Sequence, residues 1–141
     1  MQTGWKVLLA GLSLLLVGCQ SMPARDVDSA LGVEWQLERV GDQSGTGVQT
    51  LLLARDGDAL SVAGFAGCNR FSGTGTVEGA NALTVGALAS TRRGCSDELV
   101  MRVENAYLQA LSNTPFDMGV SQDELVLRGT DITLVFKRPA G

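Results

Sequence analysis

Only one stretch of this chain carries a helical period, so its helix must share a core with strands. From Asp97 to Leu111 the apolar residues fall at Leu99, Val100, Val103, Ala106, Tyr107, Ala110 and Leu111. That is the i, i+3, i+4, i+7 spacing of one helix face. Ser96 stands at the expected N-cap, and Asp97 and Glu98 suit the positive end of the helix dipole. Pro115 closes the segment, because the residue before a proline is driven out of helical geometry. Elsewhere the period is two. In "LGVEWQLERV", Val33, Trp35 and Leu37 share one face, and Glu34, Gln36 and Glu38 share the other, which marks a half-buried strand. Further strands are read in "VQTLLLA", "ALSVAGFAG", "SGTGTVEG" and "NALTVGALAST", and after the helix in "FDMGVSQ", "ELVLRG" and "ITLVFKR". "GDQSGTG" reads as a loop and "RDGD", Arg55 to Asp58, as a turn. About eight strands with one inserted helix give an α+β class. A lone helix can bury its stripe only on the sheet, so the expected architecture is a curved antiparallel sheet wrapped around it.

The N-terminus sets the compartment. Lys6 precedes an apolar run from Val7 to Val17 broken only by Gly11 and Ser13. Eleven residues fall short of the roughly 20 that a spanning helix requires. A positive start, a short apolar core and small residues at its end have the form of an export signal. Leu16-Val17-Gly18-Cys19 resembles the bacterial lipobox. That resemblance implies cleavage before Cys19 and acylation of Cys19; the other reading is an ordinary export signal that ends in cysteine. Two or more acyl chains anchor a protein stably, so the resemblance makes the membrane a partner through the lipid. Gln20, in place of the aspartate that retains such proteins at the inner membrane, points to the periplasmic face of the outer membrane. Residues 1–18 are then the signal peptide. Residues 19–30, mostly polar or small and containing Pro23, form a tether.

Removing residues 1–18 from 141 leaves 123, enough for one ordinary domain. Loss of Lys6 takes the formal charge from −4 to about −5. No basic stripe is present, which argues against nucleic acid as a partner. The chain has no histidine. Ser-His and Cys-His couples and histidine-containing zinc sites are therefore out of reach, and no metal or cofactor is expected. With Cys19 acylated, Cys68 and Cys95 remain, 27 positions apart. In an oxidising compartment an even pair reads as a disulfide, and the alternative is two buried free thiols.

The segment "GCNRFSGTGTVEGANALTVGALASTRRGC" resembles the signature of the META domain family, the family of the heat-shock protein HslJ. Gly67, Cys68, Asn69, Phe71 and Gly73 fit its first motif, and Leu88, Ala89, Ser90, Thr91, Arg92 and Cys95 its second. The "EWQLERV" strand is similar to the family's opening strand. Gly94 departs from the pattern, where many members have alanine, with a proline soon after the cysteine. The resemblance covers residues 31–138, which are taken as the domain. It implies a curved antiparallel sheet around one helix, similar to the cracked barrel of secretin pilot lipoproteins. It also implies a link to envelope stress and to resistance against hydrophobic antibiotics. It supplies no established reaction.

The chemistry-bearing residues weigh against catalysis. A catalytic Cys68 needs a base or a positive field, and a disulfide to Cys95 is the simpler fate. Asn69 suits a tight or left-handed turn beside Gly67, its side chain capping backbone groups. Arg70, Arg92 and Arg93 can form with Asn69 an interaction patch for a phosphate, a carboxylate or an acidic partner; the plainer alternative pairs them with Asp97 and Glu98. "GTGTVEG" lacks the Gly-Lys-Ser/Thr ending of a phosphate loop, and "RDGD" lacks the ligands of a calcium loop. Trp35, Phe65, Phe71, Tyr107 and Phe136 are expected in the core, the alternative being the lining of a ligand cavity. The expected function is that of a non-catalytic envelope lipoprotein, a structural or interaction module with an envelope protein partner. The alternative is a carrier of an apolar ligand in a pocket between sheet and helix.

Overall fold

The computed structural model describes residues 27–141. The expected signal peptide, the acylation site Cys19 and most of the expected tether lie outside the described residues. Nine strands and one helix follow in chain order. The strands are β1 (Glu34–Val40), β2 (Gln43–Ser44), β3 (Thr50–Asp56), β4 (Ala59–Phe65), β5 (Arg70–Glu78) and β6 (Ala82–Ser90), then β7 (Pro115–Val120), β8 (Glu124–Arg128) and β9 (Thr133–Lys137). The helix α1 (Glu98–Leu111) stands between β6 and β7. The eight longer strands are those marked by the sequence pattern. The ninth, β2, is a two-residue bridge inside "GDQSGTG", too short to show a period.

All neighbours are antiparallel, in the order β2-β1-β3-β4-β5-β6-β7-β8-β9. Glu34–Gln36 of β1 pair with β3, and Gln36–Val40, across a register shift between Leu37 and Arg39, pair with β9. That last pairing curves the sheet into a ring. β6 meets β7 only over Ala82–Thr84. Beyond it, the Val85 N–H donates to Thr114 O, the Asn113 N–H to Gly86 O and the Leu88 N–H to Ser112 Oγ. The residues that end α1 thus satisfy β6 where β7 leaves it. Close strand crossing needs a glycine at Gly64, where an added Cβ would overlap the Thr50 carbonyl and lie 2.8 Å from the Phe71 ring.

The alternation places Trp35, Leu37, Leu51, Leu53, Leu60 and Val62 inside the ring, with Leu125, Leu127, Leu134 and Phe136 across from them. Val103, Tyr107 and Leu111 of α1 enter this core, each 0 % exposed. Tyr107 stacks edge-on against Phe71 and Phe136, at ring-centre distances of 5.6 and 6.0 Å. Side chains of α1 and of the sheet fill the centre of the ring, and a shallow hollow of about 230 Å³ lies at the edge of the helix, lined by Leu88, Ser90, Leu108, Gln109 and Ser112.

Four local expectations are corrected. The N-cap is Asp97, not Ser96; its carboxylate accepts from the Leu99 and Val100 N–H groups. Leu99 lies beyond the buried stripe and is 53 % exposed. The segment Val27–Ala30, expected in the tether, is a 3-10 turn with Val27 and Ala30 buried. It is pinned by the Val27 N–H to Ala80 O and by Trp35 Nε1 to Ala30 O, so the packed domain begins before residue 31. Phe65, expected in the core, is half-buried on the outer face of the sheet.

Candidate functional site

The turn between β4 and β5 carries the residues singled out in the sequence. Its geometry starts at Gly67, whose φ of 137° belongs to glycine and whose added Cβ would lie 2.8 Å from Val100. The left-handed position is thus Gly67 and not Asn69. The Ala66 N–H donates to Asn69 O and closes the turn. The turn's next two backbone N–H groups, of Cys68 and Asn69, both donate to Glu104 Oε2 of α1, at 2.7 and 2.9 Å.

Asn69 is buried and its amide is fully used. Nδ2 donates to Glu104 Oε1 at 2.6 Å and to Arg93 O at 3.3 Å. Oδ1 accepts from the Arg93 N–H at 2.6 Å and from Thr91 Oγ at 3.0 Å. One side chain therefore ties the β4–β5 turn, the segment after β6 and the helix together. Asn69 caps backbone groups as expected, but it cannot belong to a surface patch. Cys68 and Cys95 form a disulfide with Cα atoms 5.6 Å apart, which closes the same three-way junction. The thiols are consumed, and both Glu104 oxygens accept from protein donors. This junction is a structural clamp.

Glu104 was not among the residues the sequence singled out. A signal was there: it falls four residues after Val100 and three before Tyr107, inside the apolar stripe. A carboxylate at such a position is buried only if donors meet it. Tyr107 follows one turn later. Its hydroxyl donates to Thr50 O at 3.1 Å, and burial raises its pKa well above the usual tyrosine value.

The surface over the clamp is concave. A cleft of about 270 Å³ is lined by Phe65, Cys68, Arg70, Thr91 and Arg93. Phe65, Arg70 and Thr91 also line a longer open groove of about 810 Å³. The groove follows the ladder register. Glu34 pairs with Leu52, Leu52 with Ala63, Ala63 with Ser72 and Ser72 with Ala89, so one outward row crosses five strands. Thr50, Phe65, Arg70 and Thr91 stand along its other side. The structure brings Arg70 and Arg93 to one cleft and leaves Arg92 out of both hollows. Among the described residues the one salt bridge joins Arg55 to Asp28, so Arg70, Arg92 and Arg93 do not pair with Asp97 or Glu98. No cluster of three His, Cys, Asp or Glu side chains suited to a metal occurs among the described residues.

Two solved structures share this fold. One, an NMR structure of a protein from Burkholderia xenovorans, superposes with a TM-score of 0.63 at 24% identity, covering 88% of this chain and 94% of that one. Another NMR structure gives a TM-score of 0.61 at 23% identity over 79% of this chain and 92% of that one. None of the curated proteins matches. The META domain family matches residues 28–141. That span takes in the 3-10 turn, the whole ring, the Cys68–Cys95 clamp and α1, and the chain belongs to the META domain family.

Proposed function

We propose that this META domain is a non-catalytic lipoprotein of the bacterial envelope that works as an interaction module, with its outer groove as the contact surface. The observation that carries the reading is the groove itself. It has a volume of about 810 Å³ and opens on the outer sheet face, while Trp35, Tyr107 and Phe136 occupy the interior. A carrier buries most of its ligand in an apolar cleft or cavity; a docking module needs a shaped outer face. The Leu16-Val17-Gly18-Cys19 motif supports attachment to the membrane through an acylated Cys19, with the outer membrane's periplasmic face as the site. The likeness to the HslJ-type family supports a role in envelope stress or resistance to hydrophobic antibiotics.

The test blocks the groove and leaves the core alone. Ala89 is an exposed outward residue of β6. Ala89→Arg fills the groove without touching a buried side chain. In the producing bacterium lacking its own copy, this variant is expected to be exported, folded and membrane-bound, yet to restore resistance to a hydrophobic antibiotic no better than an empty vector. Full restoration by Ala89→Arg would overturn the groove as the working surface. Recovery of Cys19→Ser in the membrane fraction after detergent-free washing would overturn the anchor.

A further inference from the structure

We propose that the groove holds an extended peptide segment of about six residues whose carboxylate end sits between Arg70 and Arg93. The proposal rests on the reading of the groove as an interaction surface and names what it binds. Three observations lead there.

The first is dimension. Five strands at about 4.8 Å spacing give a row roughly 19 Å long, the reach of about six extended residues at 3.3 Å each. The second is the character of the walls. The row is apolar at Leu52, Ala63 and Ala89, with the Ser72 hydroxyl among them and the Thr50 hydroxyl on the parallel row beside it. Hydroxyls at intervals satisfy a peptide's N–H and C=O groups. They offer nothing to an acyl chain, and an open groove leaves such a chain half in water.

The third observation is charge. The chain is net acidic, with a formal charge of −4, yet Arg70 and Arg93 share one cleft. Neither meets a carboxylate in a salt bridge among the described residues. Their backbones are held in place beforehand. The Arg70 N–H donates to Thr91 Oγ, and the Arg93 N–H donates to Asn69 Oδ1 within the clamp. Two guanidinium groups carried on a fixed backbone suit a carboxylate, which each can take by paired N–H donors. Glu34 lies at the far end of the row. The segment therefore runs in one direction, its carboxylate at the arginines and its more positive end at Glu34.

The experiment presents a library of hexapeptides with free C-termini to the acylated mature chain, residues 19–141, in detergent micelles. Enriched sequences are then measured by fluorescence anisotropy as the free acid and as the C-terminal amide. Binding of the free acid is expected, weakened about tenfold or more by amidation, as for a lost charge-assisted hydrogen bond. Arg70→Gln and Arg93→Gln should each weaken the acid and leave the amide unchanged; both side chains are exposed, so the fold is not at stake. Equal binding of acid and amide would overturn the proposal, as would a library without enrichment. Capture of vesicles containing phosphatidylglycerol in place of peptides, lost in the two variants, would overturn it in favour of a lipid surface. A photo-crosslinker at Ser72 in cells separates the two readings. Protein adducts at Ser72 together with acid–amide equality would retain the interaction module and remove only the carboxylate-ended peptide.

Discussion

The first half of α1 meets the rest of the chain through the hydrogen bonds of Glu104 beside the buried Val103, and the second half mainly through rings and methyl groups. In the first half, Glu104 accepts from Cys68 N, Asn69 N and Asn69 Nδ2. In the second, Tyr107 packs between Phe71 and Phe136, and Leu111 is fully buried. Apolar burial supplies most of the driving force but is nondirectional. A helix held only by its second half could slide or turn by a residue at modest cost. Three directed bonds to one carboxylate admit one position of α1 against the β4–β5 turn. The clamp thus sets the placement, while the stripe supplies the stability. The cleft inherits that placement, because Asn69 holds the Arg93 backbone and Thr91 holds that of Arg70.

The sharpest way to break this contrast is to exchange the characters of two adjacent residues. Val103 and Glu104 are both buried, at 0 % and 6 % exposure. Glu104 meets three donors; Val103 sits in the apolar cluster. Val103→Asp puts a carboxylate where no donor waits, and a loss above about 4 kcal/mol is expected. Chemical denaturation should show an unfolded or barely folded chain. A wild-type midpoint would mean that the stripe is not the core.

Glu104→Ala comes next. It leaves two backbone N–H groups and one amide without their acceptor. At about 1–3 kcal/mol for each orphaned buried group, and with some relief from entering water, a loss of about 4 kcal/mol is expected. The contrast sharpens with Asn69→Ala in a double-mutant cycle. Because both variants break the same network, their combined loss should fall short of the sum by 1 kcal/mol or more, on the order seen for contacting residues. Additive losses would show that the clamp is not one unit.

Replacing Cys68 and Cys95 together by serine tests the covalent part. Closing a loop of 27 residues restricts the unfolded chain by about 3–4 kcal/mol. A loss of that size is expected under non-reducing conditions, with the acid-ended peptide still bound but more weakly, since the hydrogen bonds of Asn69 survive. Abolished binding with full stability would reverse the roles assigned to disulfide and network.

The two halves of α1 also differ in how well the sequence reveals them. Tyr107, Ala110 and Leu111 lie on a period that any helix burying one face must show, and Val103 with them. The strands are legible for the same reason: Trp35 and Leu37 alternate with Glu34 and Glu38 because one face meets the core. Glu104 breaks its pattern. A carboxylate among apolar residues is explained only by the N–H groups of Cys68 and Asn69, some 35 positions away, and local periodicity carries no such information. The groove was hidden for a related reason. Its row Glu34, Leu52, Ala63, Ser72 and Ala89 exists only through strand register. Bulges such as the shift between Gly73 and Gly75 set that register in three dimensions. Phe65 differs: it falls on the outer face by the alternation of β4 itself, three residues after buried Val62. Cys68 and Cys95 were legible because an even pair behind an expected export signal reads as a disulfide. Ser96 lost the cap to Asp97 because either side chain suits the position and only the backbone path decides between them.

The smallest effect expected is also the most specific to the second half of α1. The Tyr107 hydroxyl is buried and donates to Thr50 O. Tyr107→Phe removes that one bond and keeps the ring, so near neutral pH the loss should be about 1 kcal/mol. The pH dependence then identifies its origin. Burial raises the pKa of Tyr107 well above 10.0 in the folded chain, since the phenolate would lose its water. In the unfolded chain the group titrates near 10. Below that pH both states hold the proton, and the contribution of Tyr107 is constant. Above it, the unfolded chain releases a proton that the folded chain keeps. Stability then falls as pH rises, by up to about 1.4 kcal/mol per pH unit, until the folded group itself titrates. Phenylalanine has no proton to release, so the variant lacks this slope. All other titrating groups are common to both proteins and cancel in the difference. The variant should be the less stable protein at pH 8, should match the wild type between about pH 10.5 and 11, and should exceed it at higher pH. Denaturant midpoints measured in pairs across this range read the crossing directly. Parallel curves would place the hydroxyl in water, which would leave the aromatic half of the helix less enclosed than the polar half.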